Sequence, residues 1–296
     1  MKRGETIKRT DAQSVVLDRR MITRAHLLTL NRQRCVGCDL CTAVCPQEAM
    51  SLTRGTVENG RMTQRPTLDI DPFKCNFCGE CVVVCPTNAL TMLVDGQPNI
   101  PVWDYDAFPK LIKEIKWDAG SLTPKSAGAA ADACPTAVIS VDGKRDKSGK
   151  LTAVKDVQVD TTNCIYCKQC EAASPESFSV TPPFDGIIRL ERSLCPPGCQ
   201  ACADICPTRA LVMDKGKLIL DDRFCLYCGA CTQLCPAPEA LLVRRHRVRH
   251  TPVKSGAWVV AVEKLVSAEL AAQEMDAKSQ AKRRQAIKYL PGLKKD

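Results

Sequence analysis

The feature that most constrains this chain is a cysteine spacing that recurs along it. The spacing C-x2-C-x2-C-x3-C, followed by proline, occurs at residues 35–45, 75–85 and 225–235. A fourth run at residues 195–206 has one extra residue in its first gap. Three thiolates at this spacing wrap one corner of a cubane [4Fe–4S] cluster. Because the chain has 20 Cys but only 3 Trp, 4 Tyr and 6 Phe, we expect metal clusters, rather than a large apolar core, to hold it together.

A further run at residues 164–170 is incomplete, because Ser174 stands where its fourth cysteine is expected. In two-cluster ferredoxins the fourth cysteine of one run ligates the cluster that the other run holds. Cys134 precedes a proline and lies 30 residues before the incomplete run, which is also the interval from Cys45 to Cys75. We therefore expect Cys134 to complete the set.

Crossed pairing of this kind assigns all 20 cysteines to five predicted cluster sites, each for one [4Fe–4S] cluster. The sites are site 1 (Cys35, Cys38, Cys41 and Cys85), site 2 (Cys75, Cys78, Cys81 and Cys45), site 3 (Cys164, Cys167, Cys170 and Cys134), site 4 (Cys195, Cys199, Cys202 and Cys235) and site 5 (Cys225, Cys228, Cys231 and Cys206). A sixth site would need four more ligands, but its places hold Pro124, Ala127, Ala130 and Ser174. The sequence thus predicts that one cluster was lost as a unit and left its pocket empty.

Other uses of cysteine fit this pattern less well. Zinc sites also use C-x2-C pairs, but they need neither a third cysteine at the same interval nor crossed pairing. Disulfides belong to oxidising compartments. The first 30 residues lack the apolar core of an export signal, so we expect a reducing cytoplasm. The spacing from Cys195 to Cys202 also matches radical S-adenosylmethionine enzymes, but this chain has no room for the large barrel domain that such chemistry requires.

The formal charge of +9 does not point to nucleic acid. A cluster held by four thiolates carries about −2 when oxidised. Five clusters would contribute about −10 and take the total to about −1, so the basic residues mainly balance the cofactors. We expect no nucleic-acid partner. We also expect no membrane span, because no apolar stretch of about 18 residues occurs.

The cysteine runs predict an α+β fold of three tandem bacterial-type ferredoxin modules, with two, one and two clusters, and a C-terminal helix. The predicted divisions are an N-terminal segment (1–30), a first module (31–97), a linker (98–124), a middle module (125–185), a third module (190–245) and a basic C-terminal extension (246–296). After its fourth cysteine, each module reads as a helical turn and then an apolar strand, as in "CPQEAMSL" and "CPTRALVM". A second strand enters the ligand loop, as in "KLILDDRFC".

Three segments between and after the cysteine runs carry further predictions. The stretch "TRGTVENGRMTQ" predicts a hairpin, since Asn-Gly favours a tight turn. The aromatic linker "PNIPVWDYDAFPKLIKEIKWDAG" favours packing between modules over a docking surface, and "SAGAAADA" favours a short helix. Residues 257–290 predict a long helix whose first half packs on the third module and whose second half is either a docking arm for a partner subunit or a solvated, fraying helix.

The cluster runs, the motif "CPPGCQACADICPTRAL" and the linker motif "FPKLIKEI" resemble the polyferredoxin subunit associated with formylmethanofuran dehydrogenase of methanogenic archaea. They are also similar to multi-cluster subunits of energy-converting hydrogenases. The resemblance covers about residues 30–245. It implies an electron-transfer role inside a larger anaerobic oxidoreductase complex, with redox subunits as donor and acceptor.

From these features we predict a non-catalytic subunit whose five clusters relay single electrons. No dinucleotide-binding glycine motif suggests an enzyme active site. The alternative is an iron–sulfur β-subunit of a different molybdenum, tungsten or hydrogenase-type oxidoreductase. The order two, one, two suggests that site 3 bridges the paired ends, so that Cys134→Ala would block transfer between them.

Overall fold

The computed structural model describes residues 4–147, 149, 151–253, 255–266 and 280. The strands are β1 (Thr6–Thr10), β2 (Ser14–Arg20), β3 (Ala25–Asn31), β4 (Met50–Thr53), β5 (Thr56–Glu58), β6 (Arg61–Gln64), β7 (Thr67–Ile70), β8 (Leu90–Val94), β9 (Gln97–Pro98), β10 (Glu114–Trp117), β11 (Ile139–Arg145), β12 (Leu151–Val159), β13 (Phe178–Thr181), β14 (Phe184–Leu190), β15 (Leu211–Asp214), β16 (Lys217–Leu220) and β17 (Leu241–Val248). The α-helices are α1 (Leu40–Val44), α2 (Glu80–Val84), α3 (Pro101–Asp104), α4 (Pro124–Ala133), α5 (Gln169–Ala173), α6 (Ala201–Ile205), α7 (Ala230–Leu234) and α8 (Gly256–Leu265). Short 3₁₀ turns occur at Ala119–Ser121, Arg192–Leu194, Asp222–Phe224 and Pro238–Ala240.

Each module is a small α+β unit of two antiparallel strand pairs and two short helices, as predicted. The strand that follows the fourth cysteine pairs with the strand that enters the next ligand loop: β4 with β7, β11 with β12, and β15 with β16. The outer pairs are β3 with β8, β10 with β13, and β14 with β17. The strands predicted from the C-P motifs are therefore confirmed. The middle module takes β10 from the predicted linker, because β13 pairs with it.

The N-terminal segment, for which the cysteine pattern predicts no structure, completes the sheet of the first module. Strands β1, β2, β3, β8 and β9 form one antiparallel sheet in that order. Val15 and Leu17 on β2, with Leu28 and Leu30 on β3, are almost completely buried. These alternating apolar residues place one face of the sheet against the cysteine loops of the first module, within the same apolar cluster.

The predicted hairpin is confirmed as β5 and β6, joined by Asn59 and Gly60 with φ of 49° and 74°. Two positive φ angles are the requirement of a type I′ turn, which the Asn-Gly pair satisfies. The hairpin packs on the third module, where the backbone N–H of Gln200 donates to the Gly60 carbonyl at 2.8 Å. A β-carbon on Gly60 would lie 2.7 Å from the Cα of Cys199, so this close approach requires glycine.

Helix α8 at the C-terminal side ends earlier than predicted and packs on two modules. Helix α8 ends at Leu265, because Val266 has an extended backbone (φ −118°, ψ 139°). Its buried face contacts the first module through Leu40 and Val84, and it also contacts the third module through Phe184 of β14 and Val248 of β17. Arg245 of β17 donates from Nε to the Leu265 carbonyl at 2.6 Å. The predicted packing on the third module is therefore confirmed, and the helix packs on the first module as well. Apart from residue 280, the remainder of the predicted arm (267–290) lies outside the described residues.

The aromatic linker contributes to the same apolar cluster. Phe108 is buried and meets Trp258 of α8 edge-on, with ring centroids 4.8 Å apart. Trp103 packs against that cluster, whereas Tyr105 is 76% exposed. The linker therefore serves mainly to pack the modules together, as expected. Within the described part of the chain, no helix is long and apolar enough to span a bilayer.

Candidate iron–sulfur cluster sites

Each ligand loop opens on a polar side chain that fixes its first turn. Asn31, Asp71, Asp160, Glu191 and Asp221 each lie four residues before the first cysteine of a run. In every case the side-chain oxygen accepts a hydrogen bond from the backbone N–H two residues further on, at 2.8–3.3 Å. Such turns stabilise a tight bend without regular secondary structure. Sequence reasoning missed this feature, although an acid or asparagine four residues ahead of each run is a readable signal.

The loops then use left-handed backbone positions to turn their sulfurs inward. In site 5, Tyr227 and Gly229 flank the second cysteine with φ of 50° and 88°. In site 3, Tyr166 and Lys168 do the same, with φ of 57° and 66°. Alternating conformations of this kind direct successive N–H groups into one concavity. The backbone N–H of Tyr227 accordingly donates to the Cys225 sulfur at 3.3 Å.

The fourth cysteine of each run sits at the end of a short helix, with an extended backbone that carries it away from its own loop. Cys45 and Cys85 have ψ of 113° and 112°, and Cys134 has ψ of 113°. The backbone N–H of Ala49 donates to the Cys45 sulfur at 3.3 Å, and Ala89 donates to Cys85 at 3.2 Å. Cys134 thus has the same local geometry as the fourth cysteines of the first module.

Three of the predicted sites form cavities in the structure. The four cysteines of site 1 line one cavity, those of site 3 line a second, and those of site 5 line a third. The cavities are otherwise lined mostly by apolar side chains, such as Leu30 and Leu90 in site 1. Each therefore offers thiol ligands inside a largely dry enclosure.

The cysteines of the other two sites also lie close together. In site 2, burial and then the nearby Cys45 sulfur raise the pKa of the Cys75 thiol, although a backbone hydrogen bond acts in the opposite direction. In site 4, burial and then the Cys235 sulfur raise the pKa of Cys202 to about 12. Cys235 is contributed by α7 and Cys202 by α6, so the contact crosses between the two halves of the third module.

These surroundings fit [4Fe–4S] clusters. Burial raises the pKa of Cys167 and Cys170 to about 12, so these thiols ionise only when a cation compensates the charge. An iron cluster supplies that compensation, and the N–H groups aimed at sulfur stabilise the bound thiolates. Within the described residues, no three Cys, His, Asp or Glu side chains converge on a point that would bind a single metal ion.

The place of the missing sixth site is filled rather than empty. Helix α4 runs through it for ten residues, and its start is fixed by a capping box between Thr123 and Ser126. Ala127 and Ala130 are fully buried, and Ser174 is also buried at the end of α5. The expectation of an empty pocket was wrong, because a longer helix with small side chains occupies the space of a cluster.

The first and third modules are in direct contact. The Arg54 guanidinium donates to the carbonyls of Thr232 and Gln233, and Arg61 pairs with Asp204 at 3.1 Å. The middle module contacts both of them, where Asn88 donates to the Thr162 carbonyl and Gln169 donates to the Thr208 carbonyl. The idea that site 3 lies on the path between the paired ends stays a prediction.

Comparison with known proteins agrees with this geometry. A family model described as a 4Fe-4S dicluster domain matches residues 34–89 and 195–238. These regions contain the cysteines of sites 1 and 2 and of sites 4 and 5, and they are 4Fe-4S dicluster domains. Repeated ferredoxin-like domains of mixed helix and strand, with 20 cysteines, define an iron–sulfur electron-transfer protein.

More particularly, the chain is similar to polyferredoxins, which confirms the expected resemblance. It is 28% identical over 109 residues to the polyferredoxin protein MvhB of Methanothermobacter marburgensis, covering 33% of this chain and 25% of that protein. It is 30% identical over 89 residues to formate hydrogenlyase subunit 2 of Escherichia coli, covering 27% of this chain and 44% of the relative. The matched region spans less than half the length of either relative.

A solved structure is similar over almost the whole chain. It is a chain of the formate dehydrogenase–heterodisulfide reductase–formylmethanofuran dehydrogenase complex from Methanospirillum hungatei, with a TM-score of 0.75 and 25% identity. The alignment covers 90% of this chain and 93% of the other. The arrangement of all three modules, and not only of the two dicluster domains, is therefore shared with a subunit of a large redox complex.

Proposed function

We propose that this chain is a non-catalytic electron-transfer subunit that carries five [4Fe–4S] clusters, two in the first module, one in the middle module and two in the third. It relays single electrons between redox subunits of a larger anaerobic oxidoreductase complex. The observation that supports the proposal is that four cysteines line one cavity at each of sites 1, 3 and 5, while Cys75 in site 2 and Cys202 in site 4 each lie near the fourth cysteine predicted for their site.

The bound clusters supply the one-electron chemistry, and the chain's own residues position and tune them. Apolar side chains exclude water from each site, which favours the less charged oxidised cluster and lowers its potential. Backbone donors such as Tyr227 N–H and Ala89 N–H act in the opposite direction, because they stabilise negative charge on sulfur. The balance of these two effects sets the potential of each site.

The likeness to a chain of a formate dehydrogenase–heterodisulfide reductase–formylmethanofuran dehydrogenase complex supports an assembly of that kind. The second candidate is an iron–sulfur β-subunit of another molybdenum, tungsten or hydrogenase-type oxidoreductase. The match to formate hydrogenlyase subunit 2 favours it, although that match covers a smaller part of this chain. Anaerobic purification of the tagged chain with its associated subunits distinguishes the two by the partners that co-elute.

Iron and sulfide analysis tests the cluster content. The anaerobically purified chain is expected to hold about 20 iron and about 20 acid-labile sulfide, with spectra of [4Fe–4S] centres only. Single Cys→Ser variants at Cys38, Cys78, Cys167, Cys199 and Cys228 should each remove about four iron atoms. A wild-type content near 12 or near 24 iron atoms would contradict the proposal.

A further inference from the structure

We infer that sites 1, 3 and 5 meet at a three-way junction, in which site 1 is joined directly to site 5 and the cluster of site 3 forms a third port rather than an obligatory link. This inference rests on the proposed function. It reverses the path suggested by the order of the modules in the sequence, in which electrons would have to pass through the middle module.

The residue that follows the first cysteine of each run marks the junction. This residue is Val36 in site 1, Ile165 in site 3 and Leu226 in site 5, and all three are buried within one apolar cluster. In sites 2 and 4 the same place holds Asn76 and Pro196, which are exposed. The three central loops therefore turn their tips into a shared core, whereas the outer two turn theirs to solvent.

The contact between sites 1 and 5 is close. A β-carbon on Gly229 would lie 3.8 Å from the carbonyl oxygen of Cys38, so the two ligand loops touch at this point. Burial and then the Cys228 sulfur raise the pKa of the Cys38 thiol. One ligand of each site therefore faces the other across the boundary between the first and third modules.

Arg245 lies at this boundary. Its Nη1 donates to the Tyr227 carbonyl and its Nε to the Leu265 carbonyl, both at 2.6 Å, so both ends of the guanidinium are held. Burial lowers its pKa, while the sulfurs of Cys228 and Cys38 act in the opposite direction. The guanidinium is thus a fixed positive charge beside two cluster sites, where it stabilises the reduced, more negative state of each.

Lys113 holds the corresponding position between sites 1 and 3. Its ammonium donates to the Asn88 side chain at 3.0 Å, and Asn88 donates in turn to the Cys164 carbonyl at 2.9 Å. Burial lowers the pKa of Lys113, and the Cys85 and Cys164 sulfurs oppose this shift. Site 1 therefore has a cation at each of its two outward contacts.

The third side of the junction connects sites 3 and 5 through a hydrogen bond between neutral groups. The Gln169 side chain donates to the Thr208 carbonyl at 2.9 Å, and Thr208 lies two residues after Cys206. Because each of the three sites contacts the other two, loss of the cluster in site 3 leaves a direct route between the paired modules.

The test is a redox titration monitored by electron paramagnetic resonance, in which each signal is assigned by the Cys→Ser variant that removes it. Arg245→Gln is expected to lower the reduction potentials of the site 1 and site 5 clusters by about 59 mV. For a one-electron couple this corresponds to about a tenfold change in the reduction equilibrium. Lys113→Met is expected to lower those of sites 1 and 3. Site 1 should be the only cluster that moves in both variants.

Exposed residues provide matched controls, with Arg20→Gln for Arg245 and Lys116→Met for Lys113. If Arg245→Gln loses iron, the neutral variant Arg245→Met is titrated instead, and the same two clusters must be the ones that move. The inference is overturned if no cluster responds to both substitutions, or if the controls shift the potentials equally. Since the wild-type iron content is measured separately, failure of the junction is distinguishable from failure of the five-cluster assignment.

Discussion

The segment that ends in the first C-P motif of a module has a different structure in the first and middle modules. In the first module, residues 35–45 form an open ligand loop followed by the five-residue helix α1. In the middle module, residues 124–133 form one ten-residue helix with a capped start, and Cys134 follows it. Where the first module has a ligand loop, the middle module thus has a packed helix.

This comparison shows what a ferredoxin module needs besides its cysteines. Ala127 and Ala130 of α4 are 1% and 0% exposed, and they pack with Cys164 and Phe178 in the core of the middle module. Small side chains allow the helix to approach α5 closely. Under the proposed assignment of clusters, a module therefore folds with one cluster when a helix with small side chains fills the space of the other.

The largest expected difference between the two modules is the change in iron content when one buried residue is substituted by serine. Cys41→Ser should remove the site 1 cluster and with it the centre of the core that the first module builds around α1. Iron content is expected to fall by about four atoms per chain. Ala127→Ser, in the matching part of the middle module, should leave the iron content unchanged. Equal iron loss in both variants would contradict the assignment of these two places.

The second expectation concerns the volume available around α4. Ala130→Leu places a larger side chain at a fully buried position and should lower the free energy of unfolding by about 1–3 kcal/mol. Ala129→Leu, on the exposed side of the same helix, is the matched control and should change it by less than about 0.5 kcal/mol. Anaerobic denaturation with guanidinium measures both. If Ala130→Leu did not change the free energy of unfolding, the place of the missing sixth site would still contain free space.

The third expectation concerns a buried acid that the middle module lacks. Glu80 lies just before the third cysteine of its run, where the middle module has Gln169. Burial raises the pKa of Glu80 from 4.5 to about 7, an effect that Lys264 partly opposes. Because the folded chain favours the protonated acid, this residue contributes stability at low pH that is lost as the pH rises through about 7.

Glu80→Gln should therefore stabilise the chain by on the order of 1 kcal/mol at pH 8 and by much less at pH 5, after allowance for solvent screening. Denaturation midpoints at the two pH values measure the difference. The exposed Glu176→Gln is the matched control, with the same chemical change outside the core. A benefit that is independent of pH would rule out ionisation of Glu80 as its cause.

The smallest expected effect is at the start of α4. The Thr123 side chain accepts a hydrogen bond from the Ser126 backbone at 3.1 Å, and the Ser126 hydroxyl accepts one from the Thr123 backbone at 2.9 Å. Thr123→Ala should lower the free energy of unfolding by about 1 kcal/mol, whereas Thr123→Ser should restore most of it. If both variants matched the wild type, the helix start would not depend on this cap.

Much of the local structure was readable from the sequence. The C-P motifs, the strands that enter the ligand loops and the Asn59-Gly60 turn depend on residues close together in the chain, so spacing and turn chemistry predict them. The alternation of Val15 and Leu17 also indicates a strand, but this segment lies outside the cysteine pattern on which the fold prediction rested. The polar residues that open each ligand loop were missed for the same reason.

The cysteine spacing alone predicts five ligand sets and the place of a missing one, because ligand spacing within a run is a local property of the backbone. The folded chain was needed to establish that α8 also packs on the first module, that α4 occupies the place of the predicted sixth site, and that Gly229 approaches Cys38 across two modules. These contacts join residues distant in the chain, and they depend on which apolar faces become buried together. No local spacing encodes that choice, since it is made by the packing of the modules as a whole.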